Sequence, residues 1–241
     1  MTGGARRERG FPTSSNGASS FHLWWQDVPV CAAVEVSLCV DFDPPVDRLC
    51  FWALQASFTD GRVRTGGAHL GLQWNPRYPG FRAVNWGGYH EGGGILDGTE
   101  SPLRSTPNDR NTRDLWWEPG TVYRLRIEPA EPGWWSGKIE DDRRNVVEVR
   151  RLHGGGSRLA TPAVWSEVFA RCDDPQVAVT WSAPAFEVGG VRHPVTAYRV
   201  NYQDVRRGGC SNTTSRPIDG GVRQITNTER IIPQGALIPT G

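Results

Sequence analysis

The sequence predicts an all-β fold, an antiparallel sandwich of jelly-roll type with one short helix. Apolar residues alternate with polar ones over many short segments, the pattern of pleated strands with one buried face. Gly (29) and Pro (18) recur between these segments and mark turns. Only one stretch has apolar residues at helical spacing. That excludes a doubly wound α/β domain, in which strands alternate with helices of about ten to fifteen residues, and leaves a β-barrel as the nearest competitor. At 241 residues the chain is long enough for one such domain with a sizeable core.

Residues 1–20 are rich in Gly, Ser and Arg without periodicity and read as a disordered tail. From Val34 to Phe42 the even positions are apolar, so this is a strand, ended by Asp43-Pro44-Pro45. Leu49 to Phe58 is almost continuously apolar, as in a strand covered on both faces. His69–Trp74 and Phe81–Trp86 form a pair around the turn at 75–80, and an irregular region follows over 87–114. A loop of that length in a compact domain is functional or mobile. Val122–Glu128 alternates, and Trp134–Glu140 with Asn145–Leu152 reads as a hairpin. Thr161 as cap, Pro162 in the first turn and Val164, Trp165, Val168, Phe169 and Cys172 at helical spacing predict the helix. Strands at Val177–Trp181 and Tyr198–Tyr202 follow, with one more near Arg223–Thr228. The sandwich is thus expected over 21–205, with a turn-rich C-terminal extension, 206–241, packed on it.

Composition excludes some functions. With 27 basic and 26 acidic residues the chain offers no strong basic field to nucleic acid or an anionic membrane. No apolar run of signal-peptide or transmembrane kind appears, so the expected location is cytoplasmic, or secreted if a leader was removed. Cys31, Cys39, Cys50, Cys172 and Cys210 are odd in number and lack a C-x-x-C pair. They read as buried free thiols in a reducing compartment, with one disulfide left open. The sequence does not fix the oligomeric state.

Three stretches, Gly67-Ala68-His69-Leu70-Gly71-Leu72-Gln73-Trp74-Asn75, Phe81-Arg82-Ala83-Val84-Asn85-Trp86 and Tyr123-Arg124-Leu125-Arg126-Ile127, resemble the bacterial family called domain of unknown function 3472. The resemblance implies a lectin-like, concanavalin-like β-sandwich and a link to carbohydrates. It implies no catalytic residues.

The eleven Trp draw attention because six stand in adjacent pairs: Trp24-Trp25, Trp116-Trp117 and Trp134-Trp135. Successive side chains of a strand point to opposite faces, so one ring of each pair looks outward, where it can stack on a sugar or another planar ligand. Trp74, Trp86, Trp117 and Trp135 are the binding candidates, with Tyr89 and His90 beside them in the Gly-rich run 85–94. The function expected is non-enzymatic binding of a carbohydrate or similar polyhydroxylated small-molecule ligand. One alternative is a lyase, hydrolase or cyclase with an aromatic pocket under the 87–114 loop, using His90, Glu91 and Tyr89. Another is a protein interaction module. Neither a G-x-S-x-G elbow nor an H-E-x-x-H helix is present. No cofactor is expected. Asp109, Asn111 and Asp114 space oxygen ligands for calcium only weakly, since Arg110 and Arg113 offer them ion pairs. Arg124 and Arg126 are expected to pair with acids across the strands.

Overall fold

A computed structural model describes residues 6–240, and residues 1–5 of the expected tail lie outside that range. The chain forms two antiparallel sheets packed face to face. In chain order the strands are β1 (Ser19–Trp25), β2 (Ala33–Val40), β3 (Cys50–Thr59), β4 (Arg64–Trp74), β5 (Arg82–His90), β6 (Asp97–Gly98) and β7 (Thr112–Asp114). Then come β8 (Val122–Glu131), β9 (Trp134–Glu140), β10 (Val146–His153), β11 (Arg158–Val168) and β12 (Ala178–Val188). The last are β13 (Val191–Pro194), β14 (Ala197–Tyr202), β15 (Thr214–Ile218), β16 (Gly221–Ile225) and β17 (Leu237–Pro239). One sheet runs β17-β14-β1-β11-β3-β4-β5-β7, and the other runs β15-β16-β12-β2-β8-β9-β10-β6 with β13 on β12. None of the described helices is long and apolar enough to cross a membrane.

Alternation builds the core. Leu23 and Trp25 of β1, Trp52 and Leu54 of β3, Leu70 and Leu72 of β4 and Trp86 of β5 point inward from the eight-stranded sheet. They meet Val36 and Leu38 of β2, Leu125 and Ile127 of β8, Trp135 of β9 and Trp181 of β12. The indoles fill the space between the sheets, and Gly137 of β9 makes room for Trp86: a Cβ there would lie 2.7 Å from that ring.

The predicted helix does not form. Residues 158–168 are β11, paired with β3 on one side and β1 on the other, and the described residues contain no α-helix. The spacing of four that links Val164 to Val168 and Trp165 to Phe169 is even, so it fits a pleat as well as a helix. A bulge between Ala160 and Ala163, with Thr161 at φ 48°, hides the alternation at the start of the strand. Two open strand edges then decide the outcome.

Three other expectations need revision. Residues 6–18 follow a fixed path: Cys172 N–H donates to Gly10 O (2.8 Å), Ser211 N–H to Arg7 O (2.8 Å) and Thr13 N–H to Gly208 O (3.0 Å), and Ser19 already belongs to β1. Cys172 and Cys210 form a disulfide that ties the loops to which this segment is bound. Cys31, Cys39 and Cys50 are free thiols. The irregular region also begins later than expected, because β5 runs through His90, and β6 and β7 lie inside it.

Candidate active site on the outer face of the eight-stranded sheet

Residues that alternate with the core positions of this sheet form a second, smaller apolar cluster on its outer face, made of Phe51, Ala53 and Trp165. Register brings them together: Trp165 lies opposite Ala53, and Glu167 opposite Phe51. On the next pair Gln55 lies opposite His69. The Phe51 ring stands edge-on to Trp165 at 4.9 Å and to His69 at 5.4 Å, and His69 is 5.6 Å from Trp165. Trp165 Nε1 donates to Gln55 Oε1 at 3.1 Å, which satisfies the one polar atom of the indole. The floor beside His69 is bare, with glycine at 67, 71 and 87. At Gly71 a Cβ would sit 1.9 Å from the Trp52 carbonyl oxygen, so no side chain fits.

On the other side of Trp165, β1 places His22 opposite Trp165 and Ser20 opposite Glu167. His22 and Glu167 are therefore diagonal neighbours on one face, with Cβ atoms on the order of 7 Å apart. Ser20 Oγ donates to Glu167 Oε1 at 3.0 Å, and Asn16 Nδ2 donates to the same oxygen at 3.1 Å. The His22 ring lies parallel to Trp24, with centroids 5.9 Å apart.

The protonation equilibria of this face are displaced in opposite senses. Burial pushes the Glu167 carboxyl above its ordinary range, although its two hydrogen bonds pull the other way. Burial lowers His22 to about 4, and it lowers His69 to about 4 against a smaller opposing effect of Asn85. A carboxyl whose hold on its proton is strengthened, beside an imidazole whose hold is weakened, is a pairing suited to acid–base chemistry. Two concavities meet at the pair. One, of about 580 Å³, has an aromatic lining that includes Phe51, His69, Trp165 and Phe169. The other, of about 570 Å³, is polar and includes Asn201, Gln203, Arg207 and Gln234. Asn16, His22 and Glu167 line both.

The residues singled out from sequence are distributed differently. Trp74 is 8 % exposed, Trp86 and Trp117 0 % and Trp135 1 %, all within the core between the sheets. Their indoles cannot stack on an external ligand. The pair rule does hold where it applies: Trp24 and Trp134 look outward while Trp25 and Trp135 look inward. Tyr89, His90 and Glu91 lie at the rim of the aromatic concavity, with Tyr89 51 % exposed and Glu91 paired to Arg64 at 2.9 Å. That concavity lies on the sheet face and not under the long loop. Asp109 Oδ1 accepts from the backbone N–H groups of Asn111 and Thr112, and Asn111 Oδ1 accepts from Arg150 at 2.6 Å. No group of three or more His, Cys, Asp or Glu suited to a metal occurs among the described residues. Arg124 pairs with Glu140, and Arg126 reaches Glu35, Glu128 and Glu187. Sequence reasoning missed Asn16, Ser20, His22, Gln55, His69, Trp165 and Glu167. Reading 163–168 as a strand would have put Trp165 and Glu167 on one face.

No family model matches the chain, and no curated protein matches it in sequence. Among solved structures it is similar to scytalido-glutamic peptidase bound to a peptide-based transition state analog. The TM-score is 0.47 and the identity 12 %, covering 89 % of this chain and 98 % of that one. SCP-B, a member of the eqolisin family of peptidases, in complex with the tripeptide Ala-Ile-His, gives a TM-score of 0.44 and 11 % identity over 89 % and 98 % of the two chains. The alginate lyase from Klebsiella pneumoniae gives 0.22 and 11 % over 64 % and 58 %. The expectation of a non-enzymatic carbohydrate binder is corrected at this point. The four indoles meant to hold the ligand are core residues, closed off between the two sheets.

Proposed function

We propose that the protein is an acid–base enzyme, a hydrolase or lyase, working on the outer face of the eight-stranded sheet. One observation carries the reading: Glu167 and His22, displaced in opposite directions, stand together where an aromatic and a polar concavity meet. Glu167 supplies a proton to the leaving group. Neutral His22 accepts one, from water in a hydrolysis or from substrate carbon in an elimination. The aromatic side takes an apolar part of the substrate and the polar side a hydrogen-bonding part.

The purified protein should turn over a member of a panel of peptide, ester and polysaccharide substrates, with turnover rising as the pH is lowered and Glu167 gains its proton, and falling again near pH 4 as His22 takes one up. Glu167→Gln should then lose on the order of 10²-fold or more in kcat with the fold intact. Undiminished turnover by that variant, or no turnover of any substrate, would sink the reading.

A further inference from the structure

The two donors on Glu167 converge on a single oxygen. Asn16 Nδ2 and Ser20 Oγ both reach Oε1, and Oε2 has no hydrogen-bond partner among the described residues. The orientation of the Asn16 carboxamide is not free: its Oδ1 accepts from Ala18 N–H at 3.2 Å and lies 2.9 Å from Ser14 Oγ. The nitrogen end is thereby turned towards Glu167, and a carboxamide nitrogen can only donate. The Ser20 backbone is held in turn by Gln203 Oε1, which accepts from its N–H at 2.9 Å. An oxygen that faces two donors is a poor seat for a proton of its own.

We infer that Asn16 and Ser20 are positioning residues that reserve Oε1 of Glu167 as an acceptor and leave Oε2 as the atom that carries and releases the proton. This rests on the acid–base reading of the site. When the Oε2–H bond breaks, the proton and the new bond go to the leaving atom, and the electron pair stays on the carboxylate. The charge is shared with Oε1, where two donors already point at it, so the stabilising groups need no reorganisation during transfer. Asn16 belongs to the segment anchored at Gly10 and Thr13, so a part of the chain remote in sequence from β11 sets the geometry of its carboxyl.

A carbon-13 titration of the Glu167 carboxyl in the full chain tests this without any substrate, the resonance being assigned by its loss in Glu167→Gln. Other charged or titratable groups face the same region: His22 from β1, Asp204 and Arg207 from the turn after β14, and Arg64, His69, His90 and Glu91 across the aromatic concavity. Their contributions are common to wild type and variants, so the comparison isolates the donors. Asn16→Ala and Ser20→Ala should each raise the Glu167 midpoint by about half a pH unit, since each removes a hydrogen bond that favours the ionised form. Ser20→Thr, which keeps the hydroxyl, should restore the wild-type midpoint. Asn16 is exposed, so its substitution leaves the fold standing even where Ser20, which is buried, does not tolerate change. An unchanged midpoint in Asn16→Ala would overturn the inference. Retained turnover by Glu167→Gln would instead remove the enzymatic reading and leave the titration result as it stands.

Discussion

Two imidazoles on one sheet face give the protein a stability that depends on pH in a defined direction. His22 and His69 sit near 4 when folded and near the ordinary 6.5 when unfolded, because burial against Trp24, Trp165 and Phe51 withholds the water that a charged ring needs. Between those values the unfolded chain binds protons that the folded chain refuses. Stability is therefore greatest above about 6.5 and falls as the pH drops towards 4. Glu167 works in the opposite sense, since its folded form holds a proton at pH values where the unfolded carboxyl has lost it. Burial alone would raise Glu35 and Glu128, but the hydrogen-bonded ion pairs outweigh it, with Arg192 and Arg126 on Glu35 and Lys138 and Arg126 on Glu128, and hold both carboxyls below the ordinary range. Urea midpoints should show a loss of about 2 kcal/mol between pH 7 and pH 5, less than two isolated shifts would give because both rings keep some water contact. His69→Gln should flatten that slope, and a wild-type slope in the variant would contradict the assignment.

Strands explain which parts of the molecule could be read from sequence. β14 alternates throughout, and β2 and β8 carry apolar residues at every second position over 34–40 and 123–127, so their faces follow from their side chains. β11 carries a bulge and apolar residues on both faces, which is why a helix matched its spacing equally well and why Glu167 was not linked to the sheet. The indole pairs show the same limit. Adjacency dictates that one ring of Trp134-Trp135 points inward but not which one. The phase was available further along β9, where Ile139 shares a face with Trp135, and Lys138 shares the other with Trp134. That inward face contains Gly137, pressed on Trp86 from the opposite sheet. Gly137→Ala should cost about 1–3 kcal/mol, because the ring is wholly buried and cannot retreat. A denaturant midpoint equal to wild type would show that the sheets separate more readily than this packing implies.

For the molecule as a whole, long-range ties matter more than any single strand, and they were the least legible part of the sequence. Spacing cannot reveal that Cys172 and Cys210, 38 residues apart, meet beside a segment from the other end of the chain. The composition of that segment gave no hint of order either, because it buries little and is held mostly by backbone hydrogen bonds to the two loops that the disulfide joins. Removing the disulfide should therefore have two separable effects. Losing the cross-link frees the unfolded chain and lowers stability by about 2–4 kcal/mol. It also loosens both loops, so amide exchange should quicken at Thr13, Gly17 and Ser211, whose N–H groups are bonded in this region, while β3 and β4 amides in the sheet centre stay protected. Comparing the oxidised protein with the Cys172→Ser, Cys210→Ser double variant by denaturation and hydrogen exchange separates the two. Because Asn16 lies on the same segment, the Glu167 carboxyl titration should become less sharply defined in the double variant. If exchange at Thr13 and Ser211 matches that of the oxidised protein, the segment is held by its hydrogen bonds alone and the disulfide acts only through the unfolded chain.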